Sequence, residues 1–169
     1  MEQQIKHEII GQFSAMVASI AGNLFTPEQN RLLSSVKLDD WVDGKHVREA
    51  IDAVGQADAD RARNIGRSFS YSLKEEYVRR GVNDPVHGLE VMTELYATVN
   101  RGDEIGAFEI VDRSENRVLC REDSPYNCDF TEGIFIGVVR NFGGRNVRVE
   151  QTECRRRGAS HCLYNVTWE

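Results

Sequence analysis

The stretch from Cys128 to Trp168 reads CDFTEGIFIGVVRNFGGRNVRVEQTECRRRGASHCLYNVTW, and its changes of period decide the fold. Phe130, Ile134, Val138 and Phe142 recur at four-residue steps as one apolar stripe of a helix, which Gly143-Gly144 then stops. NVRVEQTEC (146–154) and CLYNVTW (162–168) read as two strands joined by a basic loop. Just upstream, IGAFEIVD (105–112) and NRVLCRE (116–122) form another strand pair about RSEN, a turn-forming tetrad. The C-terminal half is therefore β-β-α-β-β.

The residues before 105 keep helical spacing. Thr26, Pro27 and Gln29 mark one helix start, and Asp84-Pro85 another. Gly55, Gly81 and Gly102 read as helix stops. Ile5, Ile9, Ile10, Phe13, Met16, Val17 and Ile20 put one apolar face on a leading helix over 3–24. The expected fold class is α+β, with N-terminal helices packed on a small antiparallel sheet. Residues 1–24 are read as an N-terminal helix and dimerisation arm of a homodimer. Residues 25–169 are read as a single ligand-binding domain, with a metal site within 120–162.

Charge excludes one class of partner. A net charge of −6 and the want of a recognition helix argue against direct nucleic-acid binding. The charge is also uneven: 37–60 is rich in aspartate and 140–157 in arginine, two stretches expected to attract each other. MEQQIKHEII at the start lacks the continuous apolar core of a signal peptide, and no stretch approaches a membrane span. The expected setting is cytoplasmic, where thiols stay reduced and cysteines point to metal or reactivity before disulfides.

The four cysteines all lie in one half, at Cys120, Cys128, Cys154 and Cys162. Cys128 opens the crossing helix, Cys154 ends a strand and Cys162 begins the next, so the fold can gather them on one rim. Thiolates suit zinc, and a site with four protein ligands is structural. Spacing alone weighs this evenly against buried, inert thiols. No nucleophile elbow, phosphate loop or dinucleotide fingerprint occurs, and a His161-Cys162 pair on one strand points to opposite faces. The chain is therefore read as no enzyme.

The same stretch resembles the C-terminal half of the 4-vinyl-reductase-type domain. The resemblance rests on Cys128, Gly133, Gly137, Gly143, Gly144, Glu153, Cys154, Gly158 and Cys162, with LYATVNRGDEIGAFEIV as a looser match to the domain's entry. It implies the fold shared by haem-nitric-oxide sensors and Golgi transport subunits, enclosing a pocket for an apolar small molecule. For that pocket Phe69, Tyr77, Tyr96, Phe108 and Phe135 are the lining candidates, with His87 from the helix beside it. Trp41 and Val139 are weaker ones. It further implies a non-enzymatic, regulatory sensor or carrier, acting on an attached or partner effector protein, in the family of aromatic-responsive transcription regulators.

In those sensors zinc is held by the three cysteines and an acid three places before the second. Here that place is Gln151, a departure. Cys120 is the favoured substitute, giving a four-cysteine site; Glu150 and His161 are the others. Four thiolates also admit an iron–sulfur cluster, and the fold analogy admits haem on His87, although YSLKE lacks the haem sensors' Tyr-x-Ser-x-Arg. The alternative function is thus a tetrapyrrole- or iron–sulfur-binding accessory factor of a biosynthetic pathway. No tryptophan lies in the 105–118 strand pair, so an aromatic-alcohol effector does not carry over.

Overall fold

A computed structural model describes residues 6–169. Its larger sheet is the β-β-α-β-β half: β4 (Phe108–Ser114), β5 (Arg117–Glu122), β6 (Arg148–Glu153) and β7 (Cys162–Thr167). The strands lie in the order β4-β5-β7-β6, and every pairing is antiparallel. Between β5 and β6 runs α7 (Cys128–Asn141), capped by Asn127, whose side-chain oxygen accepts from the N–H groups of Asp129 and Phe130. The fold is α+β, as the sequence expects.

The helices before it also start where their caps place them. Thr26 and Gln29 form a capping box ahead of Pro27 in α2 (Pro27–Ser34). Asp58 caps α4 (Ala59–Ser72), and Asp84 caps α6 (Pro85–Val99). Two expected stops behave differently. The helix read across 59–79 breaks at Leu73 into α4 and a short α5 (Lys74–Arg79), and only then meets Gly81. Gly55 does not end α3 (Lys45–Ala57) but lies inside it; a Cβ there would stand 2.6 Å from the Asn127 side chain. Its smallness serves the approach of the α7 cap.

The leading segment departs from the expected helix over 3–24. Residues 3–5 lie outside the described residues; beyond them Glu8–Ile10 is a strand, β1, and α1 begins at Gly11 and runs to Ala21. β1 is the centre of a second sheet, flanked by β2 (Trp41–Asp43) and β3 (Asn100–Arg101). The N–H groups of Gly11 and Gln12 donate to the carbonyls of Asp40 and Leu38 at 2.8 Å each. Tertiary pairing has overridden helical spacing there. The apolar face of α1 read as a dimerisation arm is buried in its own chain, where Phe13, Val17, Ala18 and Ala21 join the core.

Two apolar cores result. One packs α6 and α7 on the larger sheet through Leu89, Met92, Val118, Phe135, Val138, Tyr164 and Val166. The other gathers α1, α3 and α4 around Ile9, Phe13, Val17, Ile51, Ile65, Phe69 and Phe130. α7 faces both, so it is the wall between them. The two charged stretches also meet, since Arg156 reaches Asp52 at 2.7 Å.

Candidate functional site

Three chain segments converge at the rim of the larger sheet. Cys128 occupies the first helical position of α7, Cys154 follows β6, and Cys162 opens β7. The loop from Cys154 makes one 3₁₀ turn, Arg155–Arg157, with the N–H groups of Arg157 and Ala159 returning to the Cys154 carbonyl at 2.9 and 3.2 Å. Gly158 permits the return because its φ of +96° is left-handed. The loop thereby lays Cys162 beside Cys154.

The three sulfurs all lie within 4.8 Å of one another, with Cys128 and Cys154 at 3.9 Å. Two ligands on a tetrahedral zinc, each about 2.3 Å from it, stand roughly 3.8 Å apart, so the spacing fits a shared ion. Burial opposes ionisation of Cys154, but N–H groups of Arg156 and the neighbouring Cys128 thiol outweigh it and lower its pKa. Burial pushes the Cys162 thiol up to about 11, although the Arg155 N–H donates to its sulfur at 3.4 Å. A cation here would draw off the proton that burial retains.

Cys120, the favoured fourth ligand, lies outside this cluster. It is fully buried on β5 opposite Tyr164, whereas Cys162 pairs with the residue two places further on. Those two residues of strand carry its thiol roughly 6.6 Å along the sheet. Its neighbours are core residues, and burial raises its pKa to about 12. The other substitutes are also engaged elsewhere. Glu150 is exposed opposite Asn165. His161 holds Ser160 at one ring nitrogen, 2.9 Å, and Glu153 at the other, 3.2 Å. Gln151 turns its amide nitrogen to the Tyr164 hydroxyl at 3.1 Å.

The residue opposite Cys162 is Glu122, which sequence reasoning missed. It is 1% exposed. Burial raises its carboxyl pKa to about 7, while the Ser124 hydroxyl, the Arg155 charge and the Cys162 thiol pull it back. The signal was present: Val118, Cys120 and Glu122 alternate, so an acid sits on an inward face.

The second feature is a cavity of about 560 Å³ between the helices, α7 and β4. Phe69, Tyr77, Tyr96 and Phe108 line it, as do Phe13 and Met16 from the expected arm and Tyr126 and Phe130 from the start of α7. Phe135 and His87 do not. Phe135 is wholly buried in the sheet core, 5.1 Å from the Tyr164 ring, and His87 lies in the first turn of α6. Trp41 is instead half-buried under Arg101, 4.4 Å from its guanidinium, and Val139 is core. At the cavity's polar end Asn100 accepts from the Tyr126 hydroxyl at 3.0 Å and from His7 Nε2 at 2.9 Å.

A haem iron takes an axial histidine, cysteine, tyrosinate or, beside a histidine, methionine. The described lining holds neither histidine nor cysteine. Burial raises the phenol pKa of Tyr77, Tyr96 and Tyr126, against the phenolate that iron requires. The lining does not fit a haem.

Comparison with known proteins follows the same lines. The family model of the 4-vinyl-reductase-type domain matches residues 107–167. No curated protein matches the chain. An H-NOX protein from S. oneidensis in the Fe(II)NO ligation state superposes with a TM-score of 0.68 at 15% identity, covering 95% of this chain and 99% of that one. The unliganded Fe(II) H-NOX protein from K. algicida gives 0.67 at 10% identity, covering 95% and 97%. Residues 107–167 carry the sequence of a 4-vinyl-reductase-type domain, and the chain as a whole has the fold of the H-NOX domains.

Proposed function

We propose that the chain is a non-enzymatic small-molecule sensor or carrier, whose cavity takes an apolar ligand and whose three-cysteine rim holds a structural zinc ion. The observation that carries this reading is the cavity itself, enclosed by Phe13, Phe69, Tyr96, Phe108 and Phe130 with one hydrogen-bonded polar end at Asn100. Apolar walls with a few convergent polar groups are the usual form of a small-molecule site. The structural neighbours are H-NOX proteins named with NO and CO ligation states, which supports a sensor reading on the same fold. In this chain the lining favours a ligand that brings no haem.

Three converging cysteines favour a single ion over an iron–sulfur cluster, which is held as a rule by four. Cys128, Cys154 and Cys162 would hold the zinc, and its chemistry is to fix three chain segments, with no open position required for catalysis. Ligand entry would bias the packing of the helices on the sheet only through a difference in affinity for two arrangements. Transmission to an effector protein, homodimerisation and a cytoplasmic setting belong to this proposal as expectations. No helix of the described residues is long and apolar enough to cross a membrane.

The purified protein is expected to bind an environment-sensitive apolar dye at one site per chain. Met92→Trp, which fills the cavity, should abolish that binding and leave metal content unchanged. Native protein that binds no dye and shows no thermal shift across a panel of apolar aromatics overturns the reading.

A further inference from the structure

The three sulfurs provide three of the four positions of a tetrahedral zinc ion. We infer that the fourth is the Glu122 carboxylate, so that the acid of the site comes from β5 and not from β6. This inference rests on the metal reading of the cysteine rim.

Register supplies the first argument. Glu122 lies directly opposite Cys162 in the β5–β7 pair, and opposite residues on one face hold their Cβ atoms about 4.5–5.5 Å apart. Both side chains are buried, and the carboxyl and the thiol feel each other's charge. The carboxylate now accepts from the Ser124 hydroxyl and falls outside the 4.8 Å cluster, so closing the tetrahedron takes a rotation of the Glu122 side chain.

Elimination supplies the second. Gln151 is neutral and donates to Tyr164. Glu153 follows a bulge in β6 between Gln151 and Glu153, pairs with Leu163 and meets His161 near the surface. Cys120 is a pair further along the sheet. Asp129 is held by Arg63 at 3.2 Å.

Charge supplies the third. A buried carboxylate beside three thiols is costly without a cation, and a divalent ion would give it a partner. Three thiolates, a carboxylate and Zn²⁺ carry a formal charge of about −2. Arg155 stands beside them: its backbone N–H reaches Cys162, its guanidinium donates to the Ser124 carbonyl, and its Nε is buried without a partner among the described residues. Positive charge is therefore already placed to offset the loaded site. Ser124, bonded to the carboxylate, would orient it as outer-shell partners of metal ligands do.

Zinc affinity by competition with a chromophoric chelator, together with the absorption of the Co²⁺-substituted protein, tests this. Losing a direct ligand should cost at least the 10–100-fold that losing an outer-shell partner does, so Glu122→Gln and Glu122→Ala are expected to weaken zinc by about 100-fold. Cys120→Ser and Gln151→Ala should leave affinity within about threefold, inside the 10-fold that marks even an outer-shell partner. Glu122→Cys should keep cobalt and shift its visible bands to those of a four-sulfur site, a gain that a merely destabilised variant does not produce. If native protein takes up neither ion, the metal reading fails. If native protein binds both and the Glu122 variants match it in affinity and spectrum, Glu122 is not a ligand and the three-cysteine centre stands.

Discussion

His7 shows how one side chain reports the interior. Its ring is buried, Nε2 donates to Asn100, and Nδ1 has no partner among the described residues. Burial lowers its pKa from 6.5, against the pull of the Asn100 bond, so the folded state keeps it neutral. An unfolded chain protonates it first as pH falls. Its contribution to stability is therefore full above about 6.5 and is lost below that, down to the depressed folded value. Native protein should lose melting temperature between pH 7 and 5.5 by more than His7→Gln does. The comparison between the two proteins removes any loss common to both, such as metal release. At the same scale the metal rim was half legible. Cys128, Cys154 and Cys162 mark element ends, which a sequence reveals. Glu122 owes its place to strand register, and register is set by pairs that no spacing along one strand displays.

Elements are where sequence reading succeeded most and where its failures have the plainest causes. Caps at Thr26, Asp58, Asp84 and Asn127 act within a few residues, so local chemistry suffices. β1, β2 and β3 are three residues or fewer, too short to show an alternation, and they exist because they pair with one another. The α4–α7 crossing was foreshadowed only as glycines in a resemblance. A Cβ on Gly133 would lie 1.9 Å from the Arg63 carbonyl oxygen, and one on Gly66 2.0 Å from that of Phe130. The two backbones are in direct contact, and no side chain can move aside. Gly133→Ala should cost about 3 kcal/mol, the upper end of overpacking losses, although alanine is the better helix former. Urea unfolding measures it; a stabilised variant would mean that the helices sit further apart than described.

At the scale of the molecule, α7 connects the two features. Cys128 stands at its start, and Phe130, Thr131 and Ile134 of its first two turns face the cavity. Removing metal with a chelator under reducing conditions should therefore lower the melting temperature and also weaken binding of the apolar dye. Restoring zinc should recover both. Dye affinity that ignores metal would mean that the wall holds its position unaided. The layer arrangement was readable in advance because helices and strands occupy different halves of the sequence. The cavity was not, because its walls come from 10–16, 69–80, 92–100 and 126–134, brought together only by packing.

The strand order carries one more consequence, which concerns synthesis. β7 is last along the sequence but lies between β5 and β6 in the sheet. A nascent chain that has not yet released residues 162–167 holds β5 and β6 with no strand between them, and lacks the third sulfur of the rim. The helices have long been made by then. Sheet closure and metal capture thus fall at one late moment, and until it passes the apolar inner faces of Val118 and Val149 depend on the helices or a chaperone for cover.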